Sequence, residues 1–524
     1  MSFPKSSDCL ILGTNYSESL IASSCSIVGI SCIQIDKNDF YSGTLLSANI
    51  DSINDYFKDR SKYHNFKSKW FLEEEPAGFL SKFKRNEIDI IPKIVFSESR
   101  TVDSILRTDI SKYLNFRFIN KVFSITSDKK VISIPISRSD IFKTRLLTLR
   151  QKRILSHFIS FIIELKQDIG QEIYQQYKDR PLVDFLEERE DFDEFCKNVV
   201  INSLLMTNDY SILLSDTIPR FNKILSSMNK FGQYPLLWPM YGCGDICMGY
   251  SRMSAVYGSI TCLGCTYEGM HLKGDSICVQ LTNNEEVIVK TVVIGADQLG
   301  DELTGPFIDK WICRAILIAD GSLSNSLQTG DRATIIHAVA YTNANVSDVE
   351  SLFQELLDDF FIKKATLTKE EETQSQDAVN PTEDRTTEES TKPSAEPTKP
   401  QLVYGLFFSM PDLSSVPRDV LAKKLIADSD KELSVEDKDY ILNHVVVCPG
   451  PDASMELDSI DIKTEEIFRQ IFDQFHPDIE SLKETFKSEV DSNEGIPLAC
   501  HWDGIFPPRP PKFDQIITSE DRLD

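Results

Sequence analysis

Three groups of residues have types and spacings that could do chemistry. The first is Gly13-Thr14-Asn15-Tyr16-Ser17-Glu18, which follows the apolar run Cys9–Leu12 and leads into the helix-like Ser17-Glu18-Ser19-Leu20-Ile21-Ala22. A second apolar run, Gly29–Ile35, ends in Asp36. Strand, glycine turn, helix, strand and a terminal acid about twenty residues after the first glycine form the layout of a dinucleotide-binding unit. In that unit the second glycine lets the backbone approach a pyrophosphate, and the helix N-terminus receives its charge. Here Asn15 stands at the second glycine position and Glu18 at the third. A side chain fills the approach, and a carboxylate takes the place where the helix dipole would hold a phosphate. The degenerate set Gly13, Asn15, Glu18 therefore predicts the fold without the cofactor: neither FAD nor NAD, and no flavin-dependent oxidoreductase chemistry.

The second group is sulfur. Of the 12 cysteines, Cys243/Cys247 and Cys262/Cys265 have spacings that raise the question of zinc. A structural zinc site needs paired Cys-x2-Cys knuckles. Only one pair has that spacing and neither has a histidine near in sequence, so no metal is expected. The cysteines read as reduced, buried thiols. The third group is the set of hydrolase and nucleotide motifs: G-x-x-x-x-G-K-[ST], H-E-x-x-H and G-x-S-x-G do not occur. The seven histidines fall in no catalytic spacing. No catalytic residue is nominated, and the chain is expected not to be an enzyme.

Net charge is −25 and the isoelectric point is near 4.8. Such a surface repels nucleic-acid phosphates and anionic bilayers and favours partners with basic surfaces. The longest apolar stretch outside the first strands, Ile154–Leu165, is broken by Ser156, His157 and Ser160, and it is shorter than the roughly 20 residues of a spanning helix. No apolar leader opens the sequence, and its last residues, Asp-Arg-Leu-Asp, carry no prenylation signal. A soluble, cytoplasmic protein is expected, with membrane contact only transient and indirect.

The elements that must position these groups can be read along the chain. From Arg145 to Leu165 a basic face alternates with Ile154, Leu155, Phe158, Ile159, Ile162 and Leu165, a helical spacing with one wide apolar stripe. Helical character continues to about Lys230, punctuated by Pro181 and Pro219. Strand character returns at Glu286–Ile294, Trp311–Ile318, Thr334–Thr342, Leu402–Ser409 and Ile441–Val447. The expectation is an α/β chain: a discontinuous, FAD/NAD(P)-binding-like domain I (1–136 and 233–524) with an all-helical domain II inserted (137–232). Residues 366–401, rich in Glu, Thr, Ser and Pro, cannot offset their ordering entropy and are expected to be a disordered acidic loop. Phe506-Pro-Pro-Arg-Pro-Pro-Lys512 reads as a stiff strap on the body, with a polyproline ligand as the alternative.

Residues 234–263 contain Tyr-Gly-Cys-Gly-Asp245-Ile-Cys-Met-Gly-Tyr-Ser-Arg252-Met-Ser-Ala-Val-Tyr-Gly. This resembles the shared block of the Rab GDP-dissociation inhibitors and Rab escort proteins. Asp36-Lys-Asn-Asp-Phe-Tyr41-Ser-Gly43, Asp89-Ile-Ile-Pro-Lys93 and Tyr113-Leu-Asn-Phe116 are similar to three further blocks of that family, in the same order. Gly13–Glu18 matches the family's own degenerate turn. The resemblance implies a GDI-type fold and a Rab-binding platform at Tyr41, Asp245 and Arg252, with Asp245 in place of the family's glutamate. Taken as residues alone, Tyr41 and Arg252 also fit a turn tyrosine and a helix-anchoring arginine.

Two further residues bear on the branch. Phe142 and, eleven positions on, Arg153 resemble the pair by which the escort branch docks the transferase; taken alone, Phe142 also fits a hydrophobic staple at a helix start. The escort branch implies these partners: GDP-bound Rab/Ypt GTPases, the Rab geranylgeranyltransferase α/β heterodimer, and a geranylgeranyl lipid shielded by domain II. The implied role is a chaperone in protein geranylgeranylation and vesicle-mediated transport. The alternative within the family is an inhibitor that recycles prenylated Rabs.

Overall fold

The protein is described here by a computed structural model. It describes residues 4–58, 63–72, 86–125, 131–134, 147–188, 192–205, 207, 209–321, 333–362, 399–429, 433–450, 452–475 and 505–506. The acidic segment 366–401 lies almost wholly outside these residues, as do Phe142 and all of the proline-rich stretch after Phe506. Contacts divide the chain into two compact units. One comprises Met1–Ile50, Arg85–Asp309 and Asp412–Asp524, the other Asp51–Lys84 and Lys310–Pro411.

The first unit is built on a seven-stranded sheet. Its centre is the strand Ser6–Leu12 (β1), the helix Tyr16–Ile27 (α1) and the strand Cys32–Asp36 (β2). β1 pairs in parallel with β2 on one side and with Glu286–Gly295 on the other. Ile260–Leu263 extends the sheet beyond β2. Glu286–Gly295 divides its edge: its first half carries the antiparallel strand Ile277–Leu281, its second half the parallel strand Val445–Cys448. The parallel strands need cover on both faces. On one face Leu10, Leu12, Ile33, Ile35, Val292 and Ile294 meet Leu421, Ala422 and Ile441. On the other lies α1, flanked by the helices Cys243–Val256 and Asp458–Phe475.

That position explains why α1 is rich in serine. It is buried on every side from Tyr16 to Ser26, and small side chains let two helices approach it closely. The hydroxyls are satisfied across those contacts: Ser23 Oγ donates to the Tyr250 carbonyl at 2.7 Å, and Thr464 Oγ1 to Ser17 Oγ at 3.0 Å.

The helical stretch belongs to this unit and has a core of its own. Leu155, Phe158, Ile162 and Leu165 of the helix Leu149–Leu165 pack with Phe185, Leu186, Cys196 and Phe221. Thr148 and Gln151 form a capping box at its start, so the helix begins four residues later than Arg145. Pro219 does not punctuate; it lies inside the helix Leu214–Ser227. The bond it forgoes, to the Ser215 carbonyl, is outweighed by the buried face Leu214, Thr217, Phe221 and Ile224.

The α/β class expected from the sequence is the class observed, and this unit is discontinuous in sequence. The second unit was not foreshadowed by the pattern of late strands. Trp311–Asp320, Ala333–Thr342 and Gln401–Pro411 join His64–Trp70 in a separate four-stranded antiparallel sheet. Residues Val349, Phe353, Leu357 and Phe361 cover one face of it. The fifth expected strand, Ile441–Val447, is shorter: Val435–His444 is a helix capped by Ser434, and only Val445–Cys448 is strand.

Candidate functional site

Two helix N-termini stand close to the residues singled out by the sequence. The first is that of α1. Asn15 caps it by accepting from the Tyr16 N–H at 3.0 Å, and its Nδ2 donates to Thr44 Oγ1 at 2.7 Å. Glu18 is 1% exposed, and its side chain lies over the glycines at the ends of two strands. A Cβ on Gly13 would stand 3.2 Å from Glu18 Cγ; one on Gly295 would stand 1.9 Å from Glu18 Oε1. Asp36, the residue that would hold a ribose, is turned inward. Its Oδ2 accepts from the Thr14 N–H and Oγ1 at 2.8 and 2.7 Å, and its Oδ1 from the Asn38 N–H and Nδ2 at 2.8 and 2.6 Å. The space and the hydrogen-bonding groups of a dinucleotide cradle are thus filled from within. The residues present do not fit FAD or NAD.

The second N-terminus, that of the helix Cys243–Val256, is built from three separate stretches. The Asp89 carboxylate accepts from the Cys243 N–H at 2.7 Å and from Ser47 Oγ at 2.6 Å. Ser47 Oγ in turn accepts from the Gly244 N–H at 3.0 Å. Only glycine fits there, since a Cβ at 244 would come within 2.9 Å of the Ser47 nitrogen. Ser42, in the left-handed region at φ 79°, donates through Oγ to the Gly244 carbonyl at 2.9 Å; its N–H donates to the Thr14 carbonyl at 3.1 Å. Tyr41, partly buried, is therefore carried by a loop fastened to both helix N-termini.

Along this helix Ile246, Cys247, Tyr250 and Met253 point into the core. Asp245, Met248, Arg252 and Val256 follow at i, i+3, i+7 and i+11, one face by helical geometry. Asp245 is half-buried, and that burial raises its carboxyl above the usual range. Met248 is 46% and Val256 73% exposed. The Arg252 guanidinium lies 4.1 Å from the centroid of the Tyr113 ring, a cation–π contact. Tyr113 and Tyr241 are also exposed. Lys93 serves as an anchor instead. Fully buried, it donates to the Asp452 carbonyl at 2.9 Å, pairs with the Asp452 carboxylate at 3.0 Å, and reaches the Ser454 carbonyl.

The model of one protein family, described as GDI, GDP dissociation inhibitor, matches residues 4–342, more than half of the sequence. The chain belongs to this family. Curated relatives include the fruit-fly (Drosophila melanogaster) Rab proteins geranylgeranyltransferase component A, 25% identical over 62% of this chain and 65% of that protein. The human (Homo sapiens) Rab proteins geranylgeranyltransferase component A 2 is 26% identical over 74% of this chain and 57% of that protein. The match thus spans less than two thirds of either relative. A crystal structure of a Rab GDI from Plasmodium falciparum shares the fold, with a TM-score of 0.58 and 14% identity, over 90% of this chain and 99% of that one.

In this GDI-family chain, then, the blocks carrying Tyr41, Asp89 and Asp245 meet at one helix start. Tyr113 and Arg252 meet farther along the same helix. The second candidate pair is not brought together in view: Phe142 lies outside the described residues, while Arg153 is exposed on the helix Leu149–Leu165. Sequence reasoning assigned no role to Met248, Val256 or Tyr241. Their signal was present, in the i, i+3, i+7, i+11 spacing that joins Met248 and Val256 to Asp245 and Arg252. Among the described residues no helix is long and apolar enough to cross a membrane. Of the proline-rich tail, Phe506 is described: it is buried, stacks on Tyr250 at 5.8 Å, and accepts from Arg107 through its carbonyl.

Proposed function

We propose that this chain is an escort factor for Rab GTPases, a non-catalytic partner that presents newly made, GDP-bound Rab to a geranylgeranyltransferase and then shields the lipid. The observation that carries the reading is the exposed face of the helix Cys243–Val256. A rigid, buried helix bearing a carboxylate, a thioether, a guanidinium and neighbouring tyrosines is a binding surface by composition. Arginine and tyrosine are favoured anchor residues, and a carboxylate pairs with basic groups on a partner. In this reading Tyr41, Asp245 and Arg252 contact the GTPase. Asp245 is a methylene shorter than glutamate, which places its contact nearer the helix.

Phe142 and Arg153 are assigned to the transferase α/β heterodimer. Holding Rab and transferase together raises the effective concentration of the Rab tail at the transferase active site. The transferred geranylgeranyl chain then enters the helical region 147–227, whose apolar interior offsets exposure of the lipid at about 0.8 kcal/mol per CH2. The chemistry belongs to the transferase. The protein works in the cytoplasm and meets membranes only on delivery.

In vitro prenylation tests this. Transferase, a Rab and labelled geranylgeranyl diphosphate are combined with and without this protein, and with its Phe142→Ala variant. Lipid transfer that depends on the protein and falls with the substitution supports the escort reading. No stimulation, with extraction of prenylated Rab from membranes retained, moves the protein to the inhibitor branch. Loss of both activities sinks the Rab-binding reading.

A further inference from the structure

Three thiols meet at the end of the parallel sheet opposite the Gly13 turn. Cys9 lies in β1 and Cys32 opens β2, where the two are register partners. Cys25 lies on α1, the helix that crosses between those strands. The return from helix to strand is tight. Gly29 takes φ +83°, the Ile30 N–H donates to the Cys25 carbonyl, and the Cys9 N–H donates to the Ser31 carbonyl, both at 2.9 Å. This crossover sets Cys25 above the Cys9–Cys32 pair. The three sulfur atoms all lie within 4.8 Å of one another. The residues are 0%, 0% and 4% exposed, with Cys32 nearest the surface.

We propose that Cys9, Cys25 and Cys32 form a binding site for a soft, thiophilic metal ion, with monovalent copper as the ion that fits. The ligand set argues for this choice. Thiolates select copper(I) and zinc among biological metals, but structural zinc is held almost always by four ligands. Here three sulfurs cluster, and no histidine or carboxylate joins the group among the described residues. A trigonal three-sulfur site suits a monovalent d10 ion. With metal–sulfur bonds of about 2.3 Å, its sulfurs stand about 4 Å apart. Closing from the observed separations takes less than about 1 Å, a side-chain adjustment.

Copper(I) entering the cluster forms three copper–sulfur bonds and displaces to solvent the protons those sulfurs carry, with no change of oxidation state. The surrounding layer of helix and sheet keeps water out. Cys243, Cys247, Cys262 and Cys265 lie outside this group.

The test is an anaerobic titration of the reduced full chain with copper(I) against a chromophoric copper(I) chelator. One equivalent per chain is expected to resist the chelator. It is expected to be lost in Cys32→Ser and in Cys25→Ala and kept in Cys262→Ser. X-ray absorption of the one-to-one wild-type complex is expected to show three sulfur neighbours, which decides the matter even if a variant fails to fold. Retention unchanged by the cluster variants overturns the proposal, as does a two-sulfur shell. So does a disulfide mapped among the three cysteines after mild oxidation in a protein that retains no copper.

Discussion

The N-termini of α1 and of the helix Cys243–Val256 lie in the same unit and have opposite fates. Both start after a glycine-containing turn at the end of a strand, and both carry an acid in the first turn, Glu18 and Asp245. At α1 everything turns inward. Asn15, Glu18 and Asp36 are buried; Asn15 and Asp36 spend their polar groups on Thr44, Thr14 and Asn38, and the Glu18 side chain fills the space over the glycines at the strand ends. At the second helix the caps are buried but the side chains that follow are not. Asp89 and Ser47 satisfy the first N–H groups from below, leaving Asp245, Met248 and Arg252 to face solvent. A helix N-terminus is a binding site only while its donors are unclaimed. Once side chains claim them it becomes scaffold, and in the proposed reading recognition falls to the flank of the neighbouring helix.

This contrast can be broken at either end. The largest effect is expected from Arg252→Ala, which removes the exposed guanidinium proposed as an anchor: a loss of about 2–4 kcal/mol in affinity for GDP-bound Rab by titration calorimetry, with an unchanged thermal midpoint. Affinity equal to wild type would invert the comparison. Next comes Gly244→Ala, whose methyl must displace the Ser47 backbone. Urea unfolding should show about 1–3 kcal/mol lost, with weaker Rab binding following from the tilted helix.

The third concerns how α1 is tethered. Tyr16 donates to Asp461 Oδ1 at 2.7 Å, and Thr101 donates to the other oxygen. Burial lifts the Asp461 carboxyl from 3.8 to about 7, with Asp458 adding to the rise and Thr101, Tyr16 and Lys223 opposing it. An acid whose folded value is raised favours the protonated, folded state. Its contribution is full below its unfolded value near 3.8 and is lost as pH rises through about 7. Stability between pH 5 and 8 should therefore fall with rising pH by on the order of 1–2 kcal/mol, and Asp461→Asn should flatten that slope in urea titrations. A slope unchanged by the substitution would remove Asp461 as its source. The smallest effect is expected from Asn15→Gly, which restores the missing glycine: about 1 kcal/mol of stability lost with the Thr44 bond, Rab affinity unchanged, and no flavin absorbance after incubation with FAD. Yellow protein would show that Asn15 alone had closed the cradle.

The sequence determined the local pieces. Alternating apolar runs, a glycine turn and the acid at position 36 specify a β–α–β unit, because strand and helix periodicity and turn chemistry act over a few residues. The substitutions at positions 15 and 18 were enough to predict a filled cradle, since any side chain there occupies the path of a phosphate. The i, i+3, i+7 spacing of Asp245, Met248 and Arg252 was likewise in plain view. Tertiary structure decided what those pieces meet. Strands at 311–320, 333–342 and 401–411 read like the others, yet they pair antiparallel in a unit of their own, joined by the strand 64–70 that the sequence analysis did not pick out. Nothing local distinguishes a strand that joins one sheet from a strand that joins another. The gathering of Ser42, Ser47, Asp89 and Gly244 at one helix start, and of Cys9, Cys25 and Cys32 at the C-terminal end of α1, depends on register and crossover geometry between residues far apart in sequence. Such contacts are set by long-range packing, and no spacing along the chain encodes them.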